Sequence, residues 1–192
     1  MDERIYPFLK YTAIILTIAW IGWTLYNTFF AHTIPGDYAY HAGSNYFADG
    51  HYENALTEYE KALAENSEHT AALRGMAETL IMLNREQEAV AIYHKLISLE
   101  PNKAGHYANL GIAYDRLGKH EKALANYEKA LRLDPEVGGG PGWLTRFLRN
   151  QPEKPPGIAD RARYIKDQLA QAPNERLLRV PNIDATQRPY KQ

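Results

Sequence analysis

The sequence predicts an all-α protein in which a single membrane-spanning helix precedes a helical repeat domain, capping helices and an extended tail. Three observations support this prediction. An uncharged run of 21 residues lies near the N-terminus, a pattern of 34 residues recurs three times after it, and glycine and proline interrupt the chain after the last copy. The predicted regions are an N-terminal anchor, the repeats, the capping helices and the tail, at residues 1–35, 36–137, 138–171 and 172–192.

Composition and motif content exclude several classes of protein. The 192 residues carry 22 basic and 23 acidic side chains, so no net charge attracts the chain to nucleic acid. The sequence contains no cysteine, which excludes disulfides, thiolate metal sites and a cysteine nucleophile. It contains no nucleotide-binding or hydrolase motif, and its seven histidines, which we place mostly at outward or turn positions, show no metal-binding spacing. We therefore expect no catalytic residue, metal, cofactor or small-molecule substrate.

The segment from Tyr11 to Ala31 is predicted to span a membrane as one helix. At about 1.5 Å per residue, its 21 uncharged residues match a hydrocarbon core of roughly 30 Å. Trp20, Trp23 and Tyr26 are typical of the aromatic side chains found near membrane interfaces. A cleaved signal peptide is the alternative, but the run exceeds the usual apolar core of about 7–15 residues, and bulky Phe29 precedes the best cleavage site.

Basic residues flank this span only on its N-terminal side. Arg4 and Lys10 precede it, and the next lysine or arginine is Lys61. Because positively charged flanks tend to stay in the cytoplasm, we expect a cytoplasmic N-terminus. In a Gram-negative bacterium, the chain would then be a single-pass protein of the inner membrane with its repeat domain in the periplasm.

One face of the predicted span carries small and hydroxyl-bearing side chains at helical spacing. They are Ala13, Thr17, Thr24 and Thr28. Such residues let two helices approach closely in lipid, so this stripe predicts packing against another transmembrane helix. The alternative is that threonine is merely tolerated there.

A period of 34 residues organises the middle of the chain into the copies 36–69, 70–103 and 104–137. Its last copy places small, apolar and aromatic residues at set positions: Tyr107, Leu110, Gly111, Tyr114, Ala123, Tyr127, Ala130 and Pro135. Apolar residues at helical spacing predict two amphipathic helices in each copy. One such pair cannot bury its apolar face alone, so the three copies are predicted to stack.

These positions resemble the tetratricopeptide repeat pattern, W-x2-L-G-x2-Y…A-x3-F…P, with tyrosine in place of the first tryptophan. The resemblance implies a superhelix whose concave groove, lined by the first helix of each repeat, holds a peptide or a partner's surface. The groove residues that it implies are Tyr40, His41, Ser44, Phe47, Arg74, Glu78, Ile81, Asn109, Ile112 and Arg116. For each of them the alternative is a solvated position on the concave face.

Some proteins of this family clamp a C-terminal carboxylate with lysine and asparagine at set groove positions. Here Tyr40, Gly75 and Gly105 occupy three of those positions, and only Asn109 fits the pattern. A groove of mixed aromatic and polar side chains is better suited to an extended segment or a partner loop.

Two short amphipathic helices are predicted after the break at EVGGGPG. The first contains Trp143, Leu144, Phe147 and Leu148, and the second contains Ile158, Ala162, Ile165 and Leu169. We expect one or both to cap the third repeat, as stacked repeats require. The alternative is a docking element for a partner.

The last segment, from Pro173 to Gln192, is predicted to lack regular structure because it contains three prolines. Its apolar residues, which include Leu177 and Leu178, are too many for an inert tail. It is predicted either to fold back over the acidic repeats or to lie along another subunit, with disorder as the alternative.

Together these features predict a non-catalytic, membrane-anchored scaffold that binds an integral membrane or periplasmic protein. It would act as an accessory subunit or an assembly factor of a membrane complex, similar to membrane-anchored repeat proteins of cytochrome c maturation. One alternative is a periplasmic chaperone-like factor near the translocon. The other is a cytosol-facing organelle receptor, which requires the opposite topology.

Overall fold

The computed structural model describes residues 5–29, 34–139 and 157–179. Within these ranges it contains eight α-helices and one 3₁₀ helix, so the all-α prediction is confirmed. The helices are α1 (Ile5–Phe29), α2 (Asp37–Ala48), α3 (Tyr52–Glu65), α4 (Thr70–Met82), α5 (Glu86–Leu99), α6 (Ala104–Arg116), α7 (His120–Leu133), the 3₁₀ helix (Pro135–Gly139) and α8 (Ile158–Leu169). The predicted helix at 143–148 and the tail beyond 179 lie outside the described residues.

Helices α2 to α7 form three hairpins that stack in chain order. Each helix packs against the next one, and the first helices also contact each other, α2 with α4 and α4 with α6. The turn inside each hairpin contains one residue in the left-handed region, Gly50 at φ 81°, Asn84 at φ 58° and Gly118 at φ 71°. Glycine and asparagine tolerate this conformation, which explains the turn signals in the sequence.

A buried tyrosine in the second helix of each hairpin holds the two helices together. Tyr59, Tyr93 and Tyr127 are at most 2% exposed. A glycine of the first helix faces the ring in two of the hairpins: a Cβ added at Gly43 would lie 2.9 Å from the ring of Tyr59, and one added at Gly111 would lie 2.5 Å from that of Tyr127. The small residue therefore sets how closely the two helices approach.

Helix α8 covers the end of the stack, which is where the sequence predicts a cap. Its buried residues Ile158, Ala162 and Ile165 belong to the same apolar core as the three hairpins. The helix packs against α7 and the 3₁₀ helix, whose Val137 is also buried. The apolar face of α7 is thereby removed from water.

A buried ion pair between α8 and α6 fixes the position of this cap. Arg161 donates from Nε to Asp115 Oδ2 at 2.6 Å and from Nη2 to Asp115 Oδ1 at 2.9 Å. Both residues are less than 10% exposed, and His120 Nδ1 of α7 lies 3.0 Å from Asp115 Oδ1. Three helices therefore meet at one carboxylate, whose charge is compensated by a bidentate guanidinium.

The described part of the tail folds back onto α8, whereas the prediction was a fold over the acidic repeats or a contact with another subunit. Leu178 packs against the apolar core, and its carbonyl accepts a hydrogen bond from Arg161 Nη2 at 3.2 Å. Arg176 donates to the carbonyls of Leu169 and Gln171, each at 3.0 Å. These bonds satisfy carbonyl groups at the C-terminal end of α8.

Substitution Gly111→Val tests the close approach inside the third hairpin. We expect it to lower the free energy of unfolding by about 1–3 kcal/mol, because the added carbon atoms overlap the Tyr127 ring. Chemical denaturation followed by helical circular dichroism measures this loss. Gly139→Val is the control, since no atom lies within 4 Å of a Cβ added there. An equal loss in both variants would contradict this account of the packing.

Substitution Arg161→Met tests the buried ion pair. It leaves the Asp115 carboxylate buried without its guanidinium, so we expect the free energy of unfolding to fall by about 3–5 kcal/mol. Arg163→Met on the same helix is the control, because the Arg163 side chain is 73% exposed and lies 3.8 Å from Asp160. We expect that control to change stability by less than about 0.5 kcal/mol. Similar values for the two variants would exclude a structural role for the pair.

Candidate partner-binding cleft

A shallow cleft lies between α2 and α4, the first helices of the first two hairpins. Its walls are half-buried side chains from these helices, and its floor is the ring of Tyr59 from α3. Among the described residues, the lining consists of Tyr40, Ser44, Phe47, Ala48, Tyr59, Ala71, Arg74, Gly75 and Glu78. The cleft is therefore open to solvent, aromatic at its base and charged along the α4 side.

The position of Tyr59 depends on small residues on both sides of its ring. A Cβ at Gly75 would overlap the ring, and so would one at Gly43. The Tyr59 hydroxyl donates to Ser44 Oγ at 3.4 Å, and Ser44 Oγ donates to the Tyr40 carbonyl at 3.0 Å. Burial raises the pKa of the Tyr59 phenol, so it remains a neutral donor at physiological pH.

Two further aromatic side chains extend this apolar surface along α2. The Tyr40 ring lies 6.2 Å from the Tyr59 ring and 5.3 Å from the His69 ring, centroid to centroid. The Phe47 ring lies 5.5 Å from that of Tyr52. Rings held by such contacts lose little conformational entropy on binding, which makes them effective contact surfaces for a partner.

The polar side of the cleft carries Arg74 and Glu78, which are one helical turn apart on α4. Both side chains are half-buried, so a positive and a negative charge lie on the same side of the cleft. The Arg74 guanidinium can donate hydrogen bonds to a carboxylate of a partner.

The structure brings five of the ten predicted groove residues together around this cleft. They are Tyr40, Ser44, Phe47, Arg74 and Glu78. His41 is exposed on α2 and does not line the cleft. Arg116 instead donates from Nε to Glu86 at 2.8 Å and from Nη2 to Asn84 at 2.6 Å, so it joins α6 to the start of α5.

The structure buries the other three predicted groove residues, so their placement on an accessible groove surface is wrong. Ile81 and Asn109 are 0% exposed, and Ile112 is 1% exposed. Helix α6 packs mainly between α5 and α7 and also contacts α4 and the 3₁₀ helix, and every residue from Ala108 to Asp115 is buried. Ile81 and Ile112 belong to one apolar core cluster. The cleft therefore ends at α4.

Four lining residues were absent from the predicted set, namely Ala48, Tyr59, Ala71 and Gly75. Tyr59 occupies the repeat position shared with Tyr93 and Tyr127, which the pattern assigns to the core rather than to the groove. Gly75 is the stronger sequence signal, since a glycine inside a helix usually marks a close approach.

Three of the histidines are buried, whereas His41, His51 and His94 are exposed, as the prediction of mostly outward or turn positions expects. His69, His106 and His120 are 7%, 1% and 9% exposed. Each has a structural role, and no group of three potential metal ligands occurs among the described residues. His69 Nδ1 accepts from Ala72 N at 3.2 Å and its Nε2 lies 2.9 Å from Asp37 Oδ1, so it joins the N-terminal ends of α2 and α4.

The predicted span, residues 11–31, overlaps α1 from Tyr11 to the end of the helix at Phe29, and its last two residues lie outside the described ranges. One helix in the described ranges is long and apolar enough to cross a membrane, at Pro7–Tyr26 with a mean hydropathy of 1.5 and no buried residue. A signal sequence has the same properties. Of the predicted packing stripe, Ala13, Thr17 and Thr24 are exposed, while the side chain of Thr28 lies outside the description.

Comparison with known proteins agrees with the repeat architecture. The sequence profile of the tetratricopeptide repeat family matches residues 46–111 and again residues 106–137. The photosystem I assembly protein Ycf3 of Synechococcus sp. (strain CC9605) is 34% identical over 74 residues, which cover 37% of this chain and 43% of that protein. The match thus spans less than half the length of this curated relative.

Two solved structures show the same fold. The first tetratricopeptide domain of Spaghetti (RPAP3), bound to the HSP90 peptide SRMEEVD, superposes with a TM-score of 0.58 at 20% identity, covering 71% of this chain and 94% of that one. The thermophilic repeat protein TTC0263 from Thermus thermophilus superposes with a TM-score of 0.51 at 27% identity, covering 60% of this chain and 66% of its own. The predicted superhelical stacking of helix pairs is confirmed.

The buried position of His106 predicts a loss of stability in acid. Burial lowers the pKa of His106, and Glu100 Oε2, at 2.6 Å from His106 Nε2, offsets only part of this effect. Because the unfolded chain takes up the proton at about pH 6.5 and the folded chain only below that value, the free energy of unfolding should fall as the pH drops below about 6.5.

Denaturation of His106→Gln between pH 7 and 5 measures this effect. We expect the variant to lose less stability over that range than the unchanged protein, because its side chain does not titrate. His41→Gln is the control, since His41 is exposed, and it should keep the original pH dependence. An unaltered pH dependence in His106→Gln would contradict the assignment.

Proposed function

Since residues 46–137 are tetratricopeptide repeats, we propose that this protein is a non-catalytic scaffold, anchored in a membrane by α1, that holds a protein partner between α2 and α4. The observation that supports this proposal most strongly is the cleft, with three aromatic rings beside one arginine. Aromatic side chains and arginine are enriched at the residues that dominate binding energy in protein interfaces.

The shape of the cleft favours a protein partner over a small molecule. Small-molecule sites enclose most of their ligand, whereas this cleft is shallow and lies along two neighbouring helices. An extended segment or a loop could place an apolar side chain on Tyr59 and a carboxylate on Arg74.

The properties of α1 support anchoring in a membrane. Its 25 residues extend over about 37 Å, which is enough to cross a hydrocarbon core of roughly 30 Å. The hydroxyls of Thr17 and Thr24 donate to the carbonyls of Ala13 and Trp20, each at 2.8 Å, so α1 satisfies these polar groups within itself, as lipid requires. Extraction of membranes at high pH tests the anchor. We expect the full chain to stay in the membrane fraction, and its release into the soluble fraction would contradict the proposal.

We propose further that the protein assists the assembly of a membrane protein complex. The similarity to a photosystem I assembly protein over 74 residues supports this role. Attachment to the membrane raises the effective concentration of the cleft near membrane proteins, so weak and reversible binding is sufficient. A permanent accessory subunit is the second possibility, and a chaperone-like factor near the translocon is the third.

Recovery of the protein in mild detergent separates these roles. An assembly factor should be recovered below stoichiometric amounts and with incomplete complexes, whereas an accessory subunit should be recovered at fixed stoichiometry with the finished complex. A broad set of exported proteins would identify a chaperone.

The topology that we propose has the N-terminus in the cytoplasm and the repeat domain in the periplasm. It is supported by Arg4 and Lys10, which precede α1's apolar stretch, and by the absence of lysine and arginine from residue 11 to residue 60. Protease added to sealed inverted vesicles, which expose the cytoplasmic side, should leave the repeat domain intact. Digestion from that side would instead support a receptor that faces the cytosol.

Photo-crosslinking from the cleft tests the proposed binding site. With p-benzoylphenylalanine in place of Phe47 in the full chain, we expect one discrete crosslinked protein in the native membrane. The control carries the same amino acid in place of Glu121, an exposed residue of α7 outside the cleft. Identical products from both positions would contradict the proposal.

The contribution of Arg74 is measured in the same assay. We expect Arg74→Glu to lower the yield at position 47 by about 10–100-fold, the equivalent of losing one charge-assisted contact. Arg163→Glu reverses an exposed charge on α8 and should leave the yield unchanged. An unchanged yield in Arg74→Glu would exclude a role for this guanidinium in binding.

A further inference from the structure

The cleft lies in the part of the repeat domain that directly follows α1. Helix α1 ends at Phe29 and α2, which forms one wall of the cleft, begins at Asp37. The seven intervening residues extend over at most about 25 Å in any conformation. With α1 in a membrane, the first turn of α2 is therefore held within that distance of the membrane surface.

No comparable surface is open on the third repeat. The equivalent positions of α6 are occupied by Ala108, Asn109 and Ile112, all of which are buried. The cleft is thus formed by residues of α2, α3 and α4 and does not extend onto α6. The protein presents its binding surface at the end of the repeat stack that is connected to the anchor.

Two exposed apolar side chains lie between the anchor and this surface. Ile34 is 52% exposed, and Tyr38, in the first turn of α2, is 91% exposed. Tyrosine prefers the interface between membrane and water, where its ring contacts lipid and its hydroxyl remains hydrated. Such residues would keep α2 close to the headgroups.

We propose that the occupant of the cleft is the extramembrane segment that directly flanks a transmembrane helix of an integral membrane protein. This inference rests on the proposed function and specifies its partner. The segment carries an aromatic or aliphatic side chain, which contacts Tyr40, Phe47 and Tyr59, next to a carboxylate, which pairs with Arg74. The short connection between α1 and α2 selects this occupant over a soluble protein, because it holds the cleft near the membrane surface.

Spacers of equal length and different stiffness test this inference in the full chain. A helix-forming spacer of 30 residues between Phe30 and Ala31 would lengthen the connection by about 45 Å. This added length exceeds the distance over which the seven-residue linker can bend back toward the membrane. A glycine–serine spacer of the same length is the matched control, because it allows the cleft to return to the membrane. Both variants carry p-benzoylphenylalanine in place of Phe47.

For a partner segment at the membrane surface, we expect the helical spacer to abolish the crosslink. The flexible spacer should lower the yield by no more than about tenfold, through the reduced effective concentration of a longer tether. Mass spectrometry should map the crosslinked peptide to within about 15–20 residues of a transmembrane segment of the partner.

Equal yields with both spacers, or a crosslinked peptide distant from any transmembrane segment, would overturn this inference and leave the proposed function intact. A crosslink to residues of the same chain would overturn it as well. No crosslink from position 47 without a spacer would contradict both the inference and the proposed function.

Discussion

The packing of the Tyr59 ring between Gly43 and Gly75 is the contact on which both the first two repeats and the cleft depend. The ring closes the first hairpin from inside and at the same time contacts the backbone of α4 in the next one. A side chain at either glycine would separate helices whose distance determines the width of the cleft. The residue that holds the repeats together is therefore also the floor of the candidate site.

At the other end of the stack, the ion pair between Asp115 and Arg161 belongs to a closed surface rather than to a cleft. It holds α8 across α7 and lies at the C-terminal end of α6, which packs mainly between α5 and α7. The free energy cost of burying the two charges is offset by their attraction and by the two hydrogen bonds of the bidentate pair. The closed end contributes stability, whereas the end of the stack that follows α1 carries the open cleft.

Periodic features of the structure were predictable from the sequence, and features that join distant segments were not. The 34-residue period indicated the helix pairs and the turns at Gly50 and Gly118, because each depends on residues close in the chain. The same period placed Asn109 at a groove position, but Asn109 is buried. Burial depends on which elements cover a helix, and the period does not specify them. The contact of Asp115 with Arg161 joins residues 46 positions apart and follows no repeat, so no local pattern indicated it.

Hydrogen–deuterium exchange of the full chain, alone and in complex with its crosslinked partner purified in mild detergent, tests the central claim most directly. Binding in the cleft should slow exchange in residues 37–48 and 70–82, which form α2 and α4, and leave the outer helices α5 and α7 unchanged. Protection confined to α5, α7 or α8 would place the partner on another surface and contradict the account.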